Sequence, residues 1–165
     1  MTEILTVRNL CKHYPAFELH DVSFSIRESS IMGLIGRNGA GKTTTIKSIL
    51  RLVRPDGGSV EFLGQPVDDD AAALRREAGY VSGDLCYYPR KRLSQLTAVT
   101  RSFYSAWDSA RYEALLRRFS LDDSKRVCEL SAGMKVKYQL ACALSHGAKL
   151  LILDEPTSGL DPVSR

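Results

Sequence analysis

The sequence predicts an α/β fold in which antiparallel strands precede a phosphate-binding loop, and a helical insertion separates that loop from a second apolar strand. Three observations carry this expectation. Gly36-Arg37-Asn38-Gly39-Ala40-Gly41-Lys42-Thr43 fits the pattern G-x-x-x-x-G-K-[ST] without a mismatch. Ahead of it, Ile31-Met32-Gly33-Leu34-Ile35 is a short apolar run suited to a buried strand, and behind it Thr45-Ile46-Lys47-Ser48-Ile49-Leu50 continues as a helix. Far downstream, Leu150-Leu151-Ile152-Leu153 forms another apolar run that ends on two carboxylates, Asp154 and Glu155.

The loop pattern has a physical meaning. Glycines without Cβ let successive backbone N–H groups turn inward around a phosphate chain, and the helix that follows offers its positive N-terminal end to the same anion. Lys42 is then placed to reach the β- and γ-phosphates, and the Thr43 hydroxyl to reach a magnesium ion. The stretch is therefore a nucleotide-binding loop rather than an ordinary glycine-rich turn. Two carboxylates at the end of a buried strand are costly unless a metal or a reaction uses them.

Composition limits the alternatives. A chain of 165 residues with 44% hydrophobic and 25% charged content is a single globular domain by the usual prior. No run approaches the roughly 20 apolar residues that span a bilayer. The N-terminus lacks the basic-then-apolar layout of a secretory signal, so a cytosolic location is expected. Cys11, Cys86, Cys128 and Cys142 show no C-x-x-C spacing and read as reduced thiols rather than as zinc ligands or a disulfide framework. A net charge of +4 suits an anionic nucleotide without demanding nucleic acid, and Arg90-Lys91-Arg92 reads as solvated surface.

In chain order, Ile4, Val7 and Leu10 alternate loosely with polar residues, and Val22-Ser23-Phe24-Ser25-Ile26 alternates strictly, so both read as antiparallel strands. Tyr14 lies between them, an aromatic that either stacks on a nucleotide base or packs at the sheet edge. Arg54-Pro55-Asp56-Gly57-Gly58 marks a turn into a strand over 59–63, with another turn at Gly64. Asp68-Asp69-Asp70 can cap a helix over 71–76 or hold a metal, and Gly79-Tyr80-Val81 reads as the next strand. From Leu96 to Phe119 the spacing turns helical, with Phe103, Tyr104 and Trp107 either a partner-binding stripe or core. Leu130-Ser131-Ala132-Gly133-Met134 opens a further amphipathic helix, with Ser131 as its N-cap.

Taken together, these motifs resemble the ATP-binding subunit of an ABC (ATP-binding cassette) transporter, from Tyr14 to the end of the chain. Residues 36–43 resemble Walker A, 150–154 Walker B, 130–134 the signature usually written LSGGQ, and Ser158-Gly159-Leu160-Asp161 the D-loop. The resemblance implies a P-loop NTPase core with an N-terminal antiparallel β subdomain and a helical insertion over about 85–145, all within one ABC-type ATP-binding domain over 1–165. It implies that Tyr14 stacks on adenine, and that Gly36, Arg37, Asn38, Gly39, Ala40, Gly41, Lys42, Thr43 and Thr44 cradle the phosphates of ATP. Thr43 and Asp154 would hold Mg2+, and Glu155 would activate the attacking water. Ser131 and Gly133 would act in trans, capping the γ-phosphate held by another ATP-binding subunit in a homodimer or heterodimer. The implied partners are transmembrane permease subunits on the inner face of the cell membrane, and no nucleic acid is expected.

The sequence departs from the family pattern in three respects. Ala132 and Met134 replace the usual Gly and Gln of the signature. Gly83 stands where the Q-loop glutamine is usual, so the water and metal contact of that residue is missing unless the neighbouring Asp84 substitutes for it. The chain stops at Arg165, and none of His13, His20 and His146 lies in the place of the switch histidine, so the domain is expected to be incomplete at its C-terminus. Phe103-Tyr104, Trp107-Asp108 and the 130–135 variant resemble bacterial drug or antimicrobial-peptide exporters. Competing functions are a soluble ABC-type ATPase, distinguished by the lack of a membrane partner, and a nucleotide-binding fragment without turnover. Catalysis tolerates misplaced groups far less than binding does, so the 165-residue chain is expected to bind nucleotide more readily than it hydrolyses it. Comparing its steady-state ATPase activity with that of a chain extended by a family-like C-terminal lobe checks this: higher turnover in the longer chain is expected, and equal turnover would contradict it.

Overall fold

Two strand-forming runs separated only by Pro15-Ala16 fold back on each other as a long hairpin. Strand β1 (Glu3–Tyr14) and strand β2 (Phe17–Arg27) pair antiparallel from Glu3 opposite Arg27 to Tyr14 opposite Phe17. The computed structural model describes residues 2–82 and 88–156. The chain divides into two compact units, Met1–Arg75 and Arg76–Arg165.

In the first unit, the spacing of three between Ile4, Val7 and Leu10 is reconciled with strand geometry by irregularities in the β1–β2 pairing at 3/5, 7/10 and 10/12. Each extra residue resets the side-chain alternation, so all three apolar side chains are buried. β2 keeps the strict period, with Val22, Phe24 and Ile26 half-buried and Ser23 and Ser25 exposed. Strand β3 (Gly57–Phe62) adds to the other side of β1, with Leu5 opposite Phe62 and Val7 opposite Val60. After the turn at Gly64, β4 (Gln65–Pro66) completes the order β2-β1-β3-β4. Helix α1 (Lys42–Ile49) packs on β1 and β2 and buries Ile46 and Ile49. The acidic triplet works as a cap and as surface pairing: Asp68 accepts a hydrogen bond from the Ala71 amide at 2.7 Å, Asp69 pairs with Arg54 at 3.4 Å and Asp70 with Arg75 at 3.0 Å. It precedes α2 (Ala72–Glu77).

The run Ile31-Met32-Gly33-Leu34-Ile35 is not a strand. It has no regular structure, and Ile31 and Ile35 are fully exposed. A strand exists only through its ladder, and no described strand pairs with this run. Apolar composition alone therefore does not make residues 31–35 a strand.

The second unit is built on strands β5 (Ala78–Ser82) and β6 (Leu150–Asp154), parallel from Ala78 opposite Leu150 to Ser82 opposite Asp154. Helices α3 (Leu93–Ser102), α4 (Ser109–Phe119) and α5 (Ala132–Ser145) bring together Leu93, Leu96, Tyr112, Leu116, Tyr138 and Ala141 in one core cluster. Inside that cluster the Thr97 hydroxyl bonds those of Tyr112, at 2.8 Å, and Tyr138, at 3.0 Å, joining the three helices. The helical spacing over 96–119 is broken into two helices, because α3 ends at Ser102 and Asp108 caps α4 by accepting from the Arg111 amide at 2.9 Å. The set Phe103, Tyr104 and Trp107 is accordingly split: Phe103 is exposed, Trp107 packs on the core cluster, and the Tyr104 ring stacks on His146 with centroids 4.0 Å apart. Cys11, Cys128 and Cys142 are free thiols, and burial pushes the Cys142 thiol up to about 12. Cys86, Gly83, Asp84 and the D-loop residues 158–161 lie outside the described residues.

β5 approaches α5 through Gly79, where an added Cβ would stand 2.8 Å from the Ala143 Cβ and 3.0 Å from Leu151. Gly79→Ala should therefore destabilise the protein by about 1–3 kcal/mol through overpacking. Adding Ala143→Gly should relieve part of that loss, although a glycine in a helix interior itself costs about 1 kcal/mol. Thermal or urea unfolding of the two single variants and the double variant gives the coupling. Strictly additive losses would contradict the close contact.

Candidate nucleotide-binding site

The phosphate loop takes its form from two left-handed glycines, Gly39 at φ 83° and Gly41 at φ 87°. Side chains disfavour that conformation, and at Gly41 they are also excluded by space: a Cβ there would meet the Phe17 ring at 2.7 Å and Leu19 at 3.0 Å. Gly41 is the N-cap of α1, and no side chain caps the helix there. The first amides of α1 thus follow directly on the loop, the arrangement that suits an anion. Lys42 folds its ammonium back over the loop and donates to the carbonyls of Gly36, at 2.9 Å, and Arg37, at 3.1 Å. An amine held on carbonyl oxygens inside a glycine-rich loop is chemically suited to exchange them for phosphate oxygens, so this donor set fits a polyphosphate. Thr45 locks the first turn by donating its hydroxyl to the Gly41 carbonyl at 2.9 Å.

The hairpin end reaches the same loop. Tyr14 sits half-buried at the end of β1, its ring 6.4 Å from that of Phe17 and with the Lys12 ammonium 5.5 Å from its centre. Phe17 in turn covers Gly41. Tyr14 therefore packs at the sheet edge and, through Phe17, is carried to the neighbourhood of the phosphate loop. Phe17 escaped the sequence analysis, although its i, i+2 relation to Leu19 on β2 was the available signal.

In the second unit, Asp154 closes β6 and is only 8% exposed. The Tyr80 hydroxyl lies 3.4 Å from its Oδ2, and burial together with the Asp154 charge pushes the Tyr80 phenol up to about 12. Such a carboxylate at a strand end is a fitting oxygen ligand for a hard divalent cation. Glu155 follows in the left-handed region at φ 49°, exposed, a conformation uncommon for a non-glycine residue. Ser131 is the N-cap of α5, as its position predicts: its hydroxyl accepts from the Met134 amide at 3.2 Å, and it is exposed, with Gly133 half-buried in the first turn. Gln139 on the same helix accepts the Ser82 amide at 2.9 Å, holding the chain where it leaves β5. Neither Tyr80 nor Gln139 carried a sequence signal beyond its place in a periodic segment. Among the described residues, no group of three or more His, Cys, Asp or Glu side chains could by itself hold a metal.

These features define a phosphate-loop nucleotide-binding protein of mixed α/β type. The chain belongs to the ABC transporter family, whose model matches residues 19–158. It is 38% identical over 164 residues to the Nod factor export ATP-binding protein I of Burkholderia orbicola (strain AU 1054), covering 96% of this chain and 54% of that protein. It is 32% identical over 147 residues to the ABC transporter ATP-binding protein YtrB of Bacillus subtilis (strain 168), covering 89% of this chain and 50% of that one. The chain thus spans about half the length of these curated relatives. A solved ATP-binding subunit of an ABC transporter superposes with a TM-score of 0.84 at 34% identity, over 98% of this chain and 70% of that one. The fold is the mixed α/β fold of ABC ATPase domains, with its antiparallel N-terminal sheet and its helices. Among the described residues, no helix is long and apolar enough to cross a membrane.

Proposed function

We propose that this chain is an ABC-type ATP-binding domain that couples ATP binding and hydrolysis to transport by separate transmembrane permease subunits. The observation that carries the proposal is the phosphate loop, with left-handed Gly39 and Gly41, Lys42 held on the loop carbonyls, and α1 starting without a side-chain cap. In this reading residues 36–44 cradle the phosphates through their amides, and Lys42 leaves its carbonyl partners for the β- and γ-phosphate oxygens. Tyr14 offers its ring to adenine at the hairpin end. Thr43 and Asp154 are the oxygen ligands for Mg2+, which when bound would neutralise charge on the transferring phosphoryl group. Glu155 orients and deprotonates the attacking water, and Ser131 and Gly133 present the start of α5 to a nucleotide held by a second ATP-binding subunit.

Phosphoryl transfer depends chiefly on positioning and charge stabilisation, which is what a backbone cradle, a lysine and a strand-end carboxylate supply. The names of the relatives, an export ATP-binding protein among them, support a place on the inner face of a cell membrane in an exporter-type assembly. The reading involves no nucleic acid. Glu155→Gln should leave ATP affinity unchanged within about twofold and lower turnover by about 10²- to 10⁴-fold, the usual worth of a positioned general base. Steady-state ATPase assays beside calorimetric ATP binding measure both quantities. Full turnover in the Gln variant would remove Glu155 from the catalytic role.

A further inference from the structure

The register of the parallel pair sets one aromatic hydroxyl against a carboxylate. Tyr80 is opposite Ile152 and Ser82 is opposite Asp154. Residues two apart on a strand share a face, so Tyr80, Ile152 and Asp154 project from the same side of the β5–β6 pair. Two residues of strand advance by about 6–7 Å, a span that a phenol ring covers and an aliphatic side chain does not. The Tyr80 hydroxyl accordingly ends 3.4 Å from Asp154 Oδ2. That length is at the outer limit of a hydrogen bond. Asp154 is 8% exposed, where a carboxylate oxygen needs donors to offset lost hydration.

We propose that Tyr80 is a positioning residue for Asp154: by donating to Oδ2 it fixes the rotation of the carboxylate, and so the direction in which Oδ1 faces a bound divalent cation. The proposal rests on the assignment of Asp154 as a magnesium ligand. Tyr80 does not touch the cation in this scheme. It acts as the hydrogen-bonded partners of metal-binding side chains generally do, by removing the rotational freedom that would otherwise be lost on binding. Ring packing alone would be served equally by phenylalanine, so the hydroxyl is the part that carries the function.

The test uses the 165-residue chain and its Tyr80→Phe variant, with Asp154→Asn as reference. Affinity for a trinitrophenyl ATP analogue is measured in EDTA, and Mn2+ affinity in the presence of ATP is then measured from the free-ion signal in electron paramagnetic resonance. Tyr80→Phe should weaken Mn2+ binding about tenfold, the lower end of what such partners contribute, while analogue affinity in EDTA and thermal midpoint stay at the wild-type values. Replacing Tyr80 with 3-fluorotyrosine, which restores a hydroxyl on the same ring, should return Mn2+ affinity to the wild-type value. Wild-type Mn2+ affinity in Tyr80→Phe, with loss in Asp154→Asn, overturns the role of Tyr80 and leaves the Asp154 assignment standing. Wild-type affinity in Asp154→Asn overturns that assignment and the proposal with it. Should Tyr80→Phe not fold, the 19F resonance of 3-fluorotyrosine at position 80 decides: it should shift when Mg2+ is added with ATP and lose that shift in Asp154→Asn, whereas an unmoved resonance overturns the proposal.

Discussion

The left-handed Gly41, pressed under Phe17 and Leu19, is the constraint on which the first unit depends. It reverses the chain tightly enough for α1 to start on the next residue. The same absence of a Cβ lets the hairpin end close over the loop, which carries Tyr14 there on the arm of β1. One missing methyl group thus decides both the turn of the loop and what stands beside it. The Asp56 carboxylate accepts hydrogen bonds from the His13 amide, at 2.7 Å, and from the Lys12 ammonium, at 2.9 Å, which tie the turn before β3 to the end of β1 and hold that carboxyl below its usual range.

The second unit uses the same device once more. Gly79 lets β5 lie close on α5, and the parallel partner β6 then ends with Asp154 beside Ser82. Helix α5 does three things from one element: it packs the core through Tyr138 and Ala141, presents Ser131 at its start, and holds the Ser82 amide through Gln139. Displacement of α5 would therefore be felt at the end of β5 without passing through any flexible segment. Burial keeps His146, at the end of α5, below its usual pKa, and its imidazole stacks on Tyr104.

Much of the fold was legible because its signals are local. The loop pattern, the cap at Ser131, the capping role of Asp68 and the alternation of β2 each follow from a few adjacent residues. The strand expected over 31–35 was misread because a strand is a property of two segments, and apolar composition reports on only one. Phe103 was left open between core and surface, and it lies exposed because helical spacing holds only while the helix continues, and α3 stops at Ser102. Tyr80 and Gln139 could not be found at all from sequence, since their contacts with Asp154 and Ser82 join residues 74 and 57 positions apart. The first strand was legible from Ile4, Val7 and Leu10, but its 12-residue extent and irregular register were not, because they depend on its pairing with β2.

The central claim is that the loop over 36–43 binds ATP through Lys42. Calorimetric titration of ATP with Mg2+ into the folded protein and into a folded Lys42→Ala variant tests it most directly. Loss of a charge-assisted contact of about 1.5–3 kcal/mol should weaken binding by at least tenfold while the thermal midpoint without nucleotide changes little. Equal affinity in the two proteins would contradict the assignment of the phosphate cradle.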